Sequence, residues 1–184
     1  MKVRDIIKLT ARMTGRNDVV DYLNGGKGQT QTLETVAIMV ELCNLVINEL
    51  ASLYIPLVNT EFVVFSYQYI PYSRLTEKVV RIRNVYDING VSVKFNDAIQ
   101  EVYANLLSGY IEYEYSPSTY DLDSVIGYTE KDVSAGIIAY GVSAEYSINQ
   151  GLFEQAVMFH KRYVDGVAEK RSLKNAVIKE RSWR

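Results

Sequence analysis

The chain has 184 residues, enough for one domain of ordinary size with room for a subdomain. Hydrophobic residues make up 48% and charged residues 23%, a balance that excludes a disordered chain. Lys+Arg number 20 against 22 Asp+Glu, a net charge of −2, so no bulk positive charge marks a nucleic-acid binder. One Cys excludes an intramolecular disulfide, and one His leaves little room for histidine catalysis. Fifteen Tyr is the unusual count; tyrosine suits contact surfaces that are half buried and half wet.

The N-terminus, with Lys2, Arg4, Asp5 and Lys8, has no apolar stretch of the kind a secretory signal needs. Val3, Ile6, Ile7, Leu9 and Met13 recur at helical spacing, and the pattern stops at Gly15. Asp18 opens a short helix, Val19–Leu23, before the loop from Asn24 to Gly28. Thr32 is the expected N-cap of the strongest helix, Leu33–Tyr54, which ends ahead of Pro56. Its polar residues Glu34, Glu41, Asn44, Asn48 and Ser52 occupy a narrow face, so it is expected at the centre of a bundle. Apolar runs such as Val36–Val40 fall short of the ~18 residues of a membrane span, and unpaired Cys43 within this helix fits a reducing compartment.

From Asn59 the pattern changes to period two. Glu61–Tyr69 predicts a strand, and Val79–Ile88 with Val91–Phe95 flanks Asn89-Gly90, a strong two-residue hairpin signal. That turn would pair Ile88 with Val91 and Tyr86 with Val93. Asn96–Ser108 is compatible with a strand or a short helix. Tyr110–Tyr115 alternates cleanly, with Ile111, Tyr113 and Tyr115 against Glu112 and Glu114. Helices then return. Thr129 and Asp132 resemble a capping box opening a helix to about Asn149, and a second helix begins near Leu152 after Gly151. The first carries Gly136 and Gly141 inside it, at about 1 kcal/mol each in propensity, which close helix–helix approach would offset. The second bears Phe153, Ala156, Val157, His160, Val164 and Val167 on one stripe expected to face the core.

The expected fold is therefore α+β: a helical bundle (1–56 and 129–171) with an inserted small antiparallel β-subdomain (57–128) and a C-terminal arm (172–184).

Candidate chemistry is thin. Asn24–Thr30 has the glycines and lysine of a phosphate loop but not their spacing, since Asp21 and Gly28 stand where Gly and Ser/Thr are needed. His160 on an apolar stripe reads as packed rather than catalytic, and one His with one Cys makes no conventional zinc site. Neither catalytic, metal nor cofactor residues are assigned. The charge distribution is more informative. Residues 101–145 hold eight acids against one base, net −7, while residues 160–184 hold eight bases against three acids, net +5. Glu112, Glu114, Asp121 and Asp123 belong to the first pole. The second includes Arg171, Lys174, Lys179, Arg181 and Arg184, with Trp183 between two arginines in the manner of a binding hot spot. Such a tail suits an acidic protein groove or a nucleic acid.

Over Asp132–Gly166 a small-residue helix with Ala139-Tyr140-Gly141 and Ala144-Glu145-Tyr146 passes through Gly151 into a helix with Phe153-Glu154-Gln155-Ala156 and His160-Lys161-Arg162-Tyr163. This stretch, with the helical N-terminal third, resembles the head–tail connector (neck adaptor) proteins of tailed bacteriophages. The resemblance implies a non-enzymatic virion protein of the neck, assembled in the host cytoplasm. It would form a ring, commonly of twelve copies, joining the portal protein to tail or further neck proteins, away from any membrane. DNA would pass through without sequence-specific binding. On this reading the basic residues from Arg171 to Arg184 dock into the portal or a neighbouring subunit. The ribbon tip with Tyr86, Asn89 and Gly90 faces the tail, and the four acids line the channel. The alternative is a nucleic-acid-binding accessory or regulatory protein using its basic tail.

Overall fold

A computed structural model describes residues 1–175, with side chains through Ser172. The fold is α+β, in two compact units: Met1–Leu50 with the chain from Thr119 onward, and Ala51–Ser118.

The first unit opens on α1 (Val3–Met13), whose Val3, Ile6, Ile7 and Ala11 are all buried. Gly15 follows at φ +72, the left-handed geometry that terminates a helix cheaply only with glycine. After α2 (Asn17–Leu23) comes α3 (Thr30–Glu49), which widens into a π turn over Leu50–Tyr54. Thr32 does not cap it. Gln29 takes the cap position without a side-chain bond, and the Thr32 hydroxyl donates instead to the Asp18 carboxylate. Arg16 grips the same carboxylate through Nε (2.9 Å) and Nη2 (2.8 Å), while its Nη1 donates to the Tyr146 hydroxyl at 2.7 Å. The helix begins two residues before Thr32, which therefore lies inside its first turn rather than ahead of it. By length and composition, Thr30–Tyr54 is long and apolar enough to cross a membrane, contrary to the estimate from unbroken apolar runs. A third of its most apolar window is buried, and α3 packs against α4 (Ala135–Asn149).

The central helix is α4, not α3. It packs against α1, α3 and α5 (Phe153–Asn175), and Ile138, Ala139, Val142, Ser143 and Ala144 are all buried. Small side chains around its whole circumference permit that. Its start is corrected as well. Thr129 and Asp132 form a hydroxyl–carboxylate bond of 2.7 Å, but the helix begins six residues later, capped by Ser134 accepting from the Ile137 N–H. The two glycines have different reasons. A methyl at Gly141 would lie 2.8 Å from Val46 Cγ1 and 3.1 Å from the Tyr163 ring, so backbones approach there, whereas Gly136 faces open space in the first turn. Of the six residues expected to bury α5, only two do so. Ala156 and Val167 are buried together with Phe159 and Tyr163, but Phe153, Val157, His160 and Val164 are exposed.

Residues 119–128, assigned from sequence to the insertion, belong with the helices. The Asn44 side chain donates to the Tyr120 carbonyl and accepts from the Tyr120 N–H. Lys2 and Val125 form an antiparallel bridge, and the amides of Val3 and Arg4 donate to the carbonyls of Ser124 and Leu122. Backbone groups of Tyr120, Leu122 and Ser124 are thus satisfied on α1 and α3.

The second unit holds two three-stranded antiparallel sheets. In one, β1 (Leu57–Val64) and β3 (Val79–Tyr86) flank β6 (Ser108–Tyr115). In the other, β2 (Tyr69–Pro71) and β4 (Phe95–Ala98) flank β5 (Glu101–Ala104). Their inner side chains share a core of Val63, Phe65, Ile70, Ile82, Val85, Val102, Ile111 and Tyr113. The first strand thus lies four residues earlier than Glu61–Tyr69, because Tyr67 and Gln68 adopt positive φ and turn the chain into β2. Asn96–Ser108 resolves into β4, a tight turn at Ile99-Gln100, and β5.

The hairpin at Asn89-Gly90 is slipped by one residue from the two-residue register. The Asp87 amide donates to the Val91 carbonyl, Tyr86 bridges to Ser92, and the Val93 amide donates to Val85. The loop is therefore Ile88-Asn89-Gly90, with Gly90 at φ +79. The Asp87 carboxylate explains the choice: it accepts from both the Asn89 and Val91 amides at 2.8 Å, which a two-residue turn would not place within reach.

Candidate docking surfaces

Strand alternation in β1 buries Leu57 and Val63 on one side and turns Val58, Thr60, Phe62 and Val64 to the other, where all four are exposed. Register places Val58 beside Glu114, Thr60 beside Glu112 and Phe62 beside Tyr110 on β6. The outer face of this sheet therefore has two halves. One is apolar and aromatic: Phe62, 54% exposed, meets Tyr110 edge to face with ring centroids 5.4 Å apart, and Val64 continues the patch. The other half is ionic.

That ionic half changes the meaning of the acidic pole. Glu114 is buried and accepts from Arg81 Nη2 at 2.6 Å and Arg83 Nε at 2.9 Å. Burial alone would raise its pKa, but the two guanidinium bonds outweigh that and hold the carboxyl below its ordinary range. Glu112 accepts from the Tyr86 hydroxyl at 2.8 Å and lies 4.0 Å from Arg83. Asp123, in the other unit, is gripped by Arg4 through Nε (2.8 Å) and Nη2 (3.2 Å). Asp121 is exposed. The four acids proposed for one channel face are thus divided between two units, and three of them are paired with arginines distant in sequence, Glu112 also accepting from Tyr86. The −7 segment is not a bare negative surface.

Tyr86, Asn89 and Gly90 do come together at one end of the β3 ribbon, where Tyr86 is committed to Glu112 and the Asn89 amide to Asp87. Of the basic set, Arg171 is exposed on α5, which runs on to Asn175 and so crosses the expected arm boundary at 172. The Lys174 side chain and residues Lys179, Arg181, Trp183 and Arg184 lie outside the described residues.

The tyrosines sort by depth rather than collecting at a surface. Tyr113, Tyr120, Tyr128, Tyr146 and Tyr163 are buried, and Tyr113 donates to Glu61 at 2.7 Å within its unit. Tyr67 is 97% exposed at its turn, and Tyr103 and Tyr110 are exposed on outer sheet faces. Cys43 is buried, and desolvation pushes its thiol up to about 12, the opposite of a reactive cysteine. Among the described residues no three His, Cys, Asp or Glu side chains gather as a group that could hold a metal.

Sequence reasoning missed Val58, Phe62 and Val64. Their signal was present: Leu57-Val58-Asn59-Thr60-Glu61-Phe62-Val63-Val64 places apolar residues on both sides of the strand, so one apolar side had to face outward. No known family model matches the chain, and no relative emerges among curated proteins.

Proposed function

We propose that this chain is a structural assembly protein, a connector subunit that forms a ring between the portal and tail of a tailed bacteriophage and leaves a channel for DNA. The observation that supports the reading is the outer face of the β1–β6–β3 sheet. Soluble monomers rarely expose large apolar side chains contiguously, and Val64, Phe62 and Tyr110 form such a centre beside the paired charges Arg81, Arg83, Glu112 and Glu114. An apolar centre with a polar rim is the anatomy of a protein–protein interface. A ring subunit needs at least two such surfaces, and the resemblance over Asp132–Gly166 supplies the partner class. In this reading the neutralised acids do not line the channel as free charges.

The test mixes purified protein with its portal and follows co-sedimentation and electron microscopy. Rings on the portal are expected, and Phe62→Asp with Val64→Asp should abolish them while the circular dichroism spectrum stays unchanged. Failure of the unaltered protein to co-sediment or to form rings overturns the connector reading. Salt-sensitive binding to DNA fragments instead would favour the nucleic-acid alternative.

A further inference from the structure

A second apolar surface lies along α5, independent of the sheet. At 3.6 residues per turn, Phe153, Val157, Val164 and Ala168 fall on one exposed line beside the buried line of Ala156, Phe159, Tyr163 and Val167. Phe153 is 66% and Val157 70% exposed, high for such residues at the middle of a helix face. Along one flank run Glu154, Lys161 and Asp165, and Arg171 closes the far end of the line. None of these four charges takes part in an ion pair among the described residues, although arginines elsewhere in the chain find carboxylates readily.

We infer that this face pairs with the same face of a second copy, the two α5 helices running antiparallel about a two-fold axis near residues 162–163. The sequence of this face is complementary to its own inversion. Antiparallel pairing sets Val157 against Ala168, Val164 against the stem of Lys161, and Phe153 against the stem of Arg171. On the flank it sets Lys161 against Asp165, twice by symmetry, and brings Glu154 to Arg171, again twice. Parallel two-fold pairing would place Arg171 against Arg171 and carry Lys161 and Asp165 of the two copies to opposite sides of the seam. Helix polarity agrees, because each acidic N-terminal turn would lie beside the basic last turns of its mate. The line from Phe153 to Arg171 covers eighteen residue steps, about 27 Å of helix at 1.5 Å per residue, a seam of five turns. An isologous pair of this kind closes at two copies, whereas a ring needs a head-to-tail contact, so the inference does not rest on the connector reading. It describes the free protein.

Sedimentation equilibrium of the free protein is expected to show a monomer–dimer equilibrium. Lys161→Asp or Asp165→Lys alone should raise the dimer dissociation constant roughly tenfold, since each substitution acts twice in a two-fold pair. The double exchange Lys161→Asp/Asp165→Lys should restore it. Under mild oxidation Val157→Cys/Ala168→Cys should give a covalent dimer that Val157→Cys alone does not. A protein monomeric at every soluble concentration, a double exchange as weak as the singles, or efficient crosslinking by Val157→Cys alone overturns the inference. Rings on the portal with no free dimer would overturn it and leave the connector reading intact.

Discussion

Replacing Gly141 by alanine tests whether close approach, rather than helix propensity, accounts for the glycines of α4. The added methyl would lie 2.8 Å from Val46 Cγ1 and 3.1 Å from Tyr163 Cδ2. Neither neighbour yields cheaply. Val46 is a buried β-branched residue within α3, held to one rotamer, and Tyr163 is buried between α5 and α4. Overpacking of this kind costs about 2–3 kcal/mol, while the alanine regains about 1 kcal/mol of propensity, so the net loss is about 1–2 kcal/mol. Gly136 is the control. Nothing but Ser134 Oγ, at 3.9 Å, comes near a methyl there, and the residue sits in the first turn, so Gly136→Ala should stabilise by about 0.5 kcal/mol. Because the helices lie in one unit and the sheets in the other, urea unfolding followed at 222 nm reports the helical unit selectively. Val46→Ala should rescue Gly141→Ala, the double variant losing less than the sum of the two singles. A Gly141→Ala protein as stable as the parent, or no coupling to Val46→Ala, would refute the reasoning.

Removing the cap with Ser134→Ala should cost about 1 kcal/mol in the same unfolding assay, whereas Thr32→Val should act through the Asp18 bond and not through helix capping. Glu114→Gln should destabilise the sheet unit by about 1–3 kcal/mol at neutral pH, because Arg81 and Arg83 lose their shared carboxylate. The Glu114 carboxyl is depressed on folding, so its contribution is complete above the ordinary Glu value of 4.5 and fades as pH falls through the lower folded value. Acid titrations of stability should therefore show a decline below that value that is shallower in Glu114→Gln. Cys43 should resist alkylation in the native protein at pH 8 and react only on unfolding, since burial holds its thiol pKa at about 12.

Local patterns in this sequence carried the class of most elements but not their partners, and left Asn96–Ser108 open between strand and helix. The helical spacing of Val3 to Met13, the alternation of Tyr110 to Tyr115 and the small residues of α4 were all legible, because each is a repeat between neighbours along the chain. Side-chain contacts outside these repeats determined the rest. Thr32 had the chemistry of a cap, but it lies inside the first turn of α3 and its hydroxyl donates to Asp18, fourteen residues earlier. Asn89-Gly90 had the chemistry of a two-residue turn, and the Asp87 carboxylate selected a three-residue loop. Val157 and Ala156 are adjacent on one stripe of α5, and only the position of α4 decides that one is buried and the other exposed. The charge balance shows the difference most plainly. Near-neutrality and its two poles were written in the sequence, but Arg81, Arg83 and Arg4 pair with Glu114 and Asp123 of the acidic pole from 31 to 119 residues away. Electrostatics depends on distance in space, and only the folded chain sets those distances.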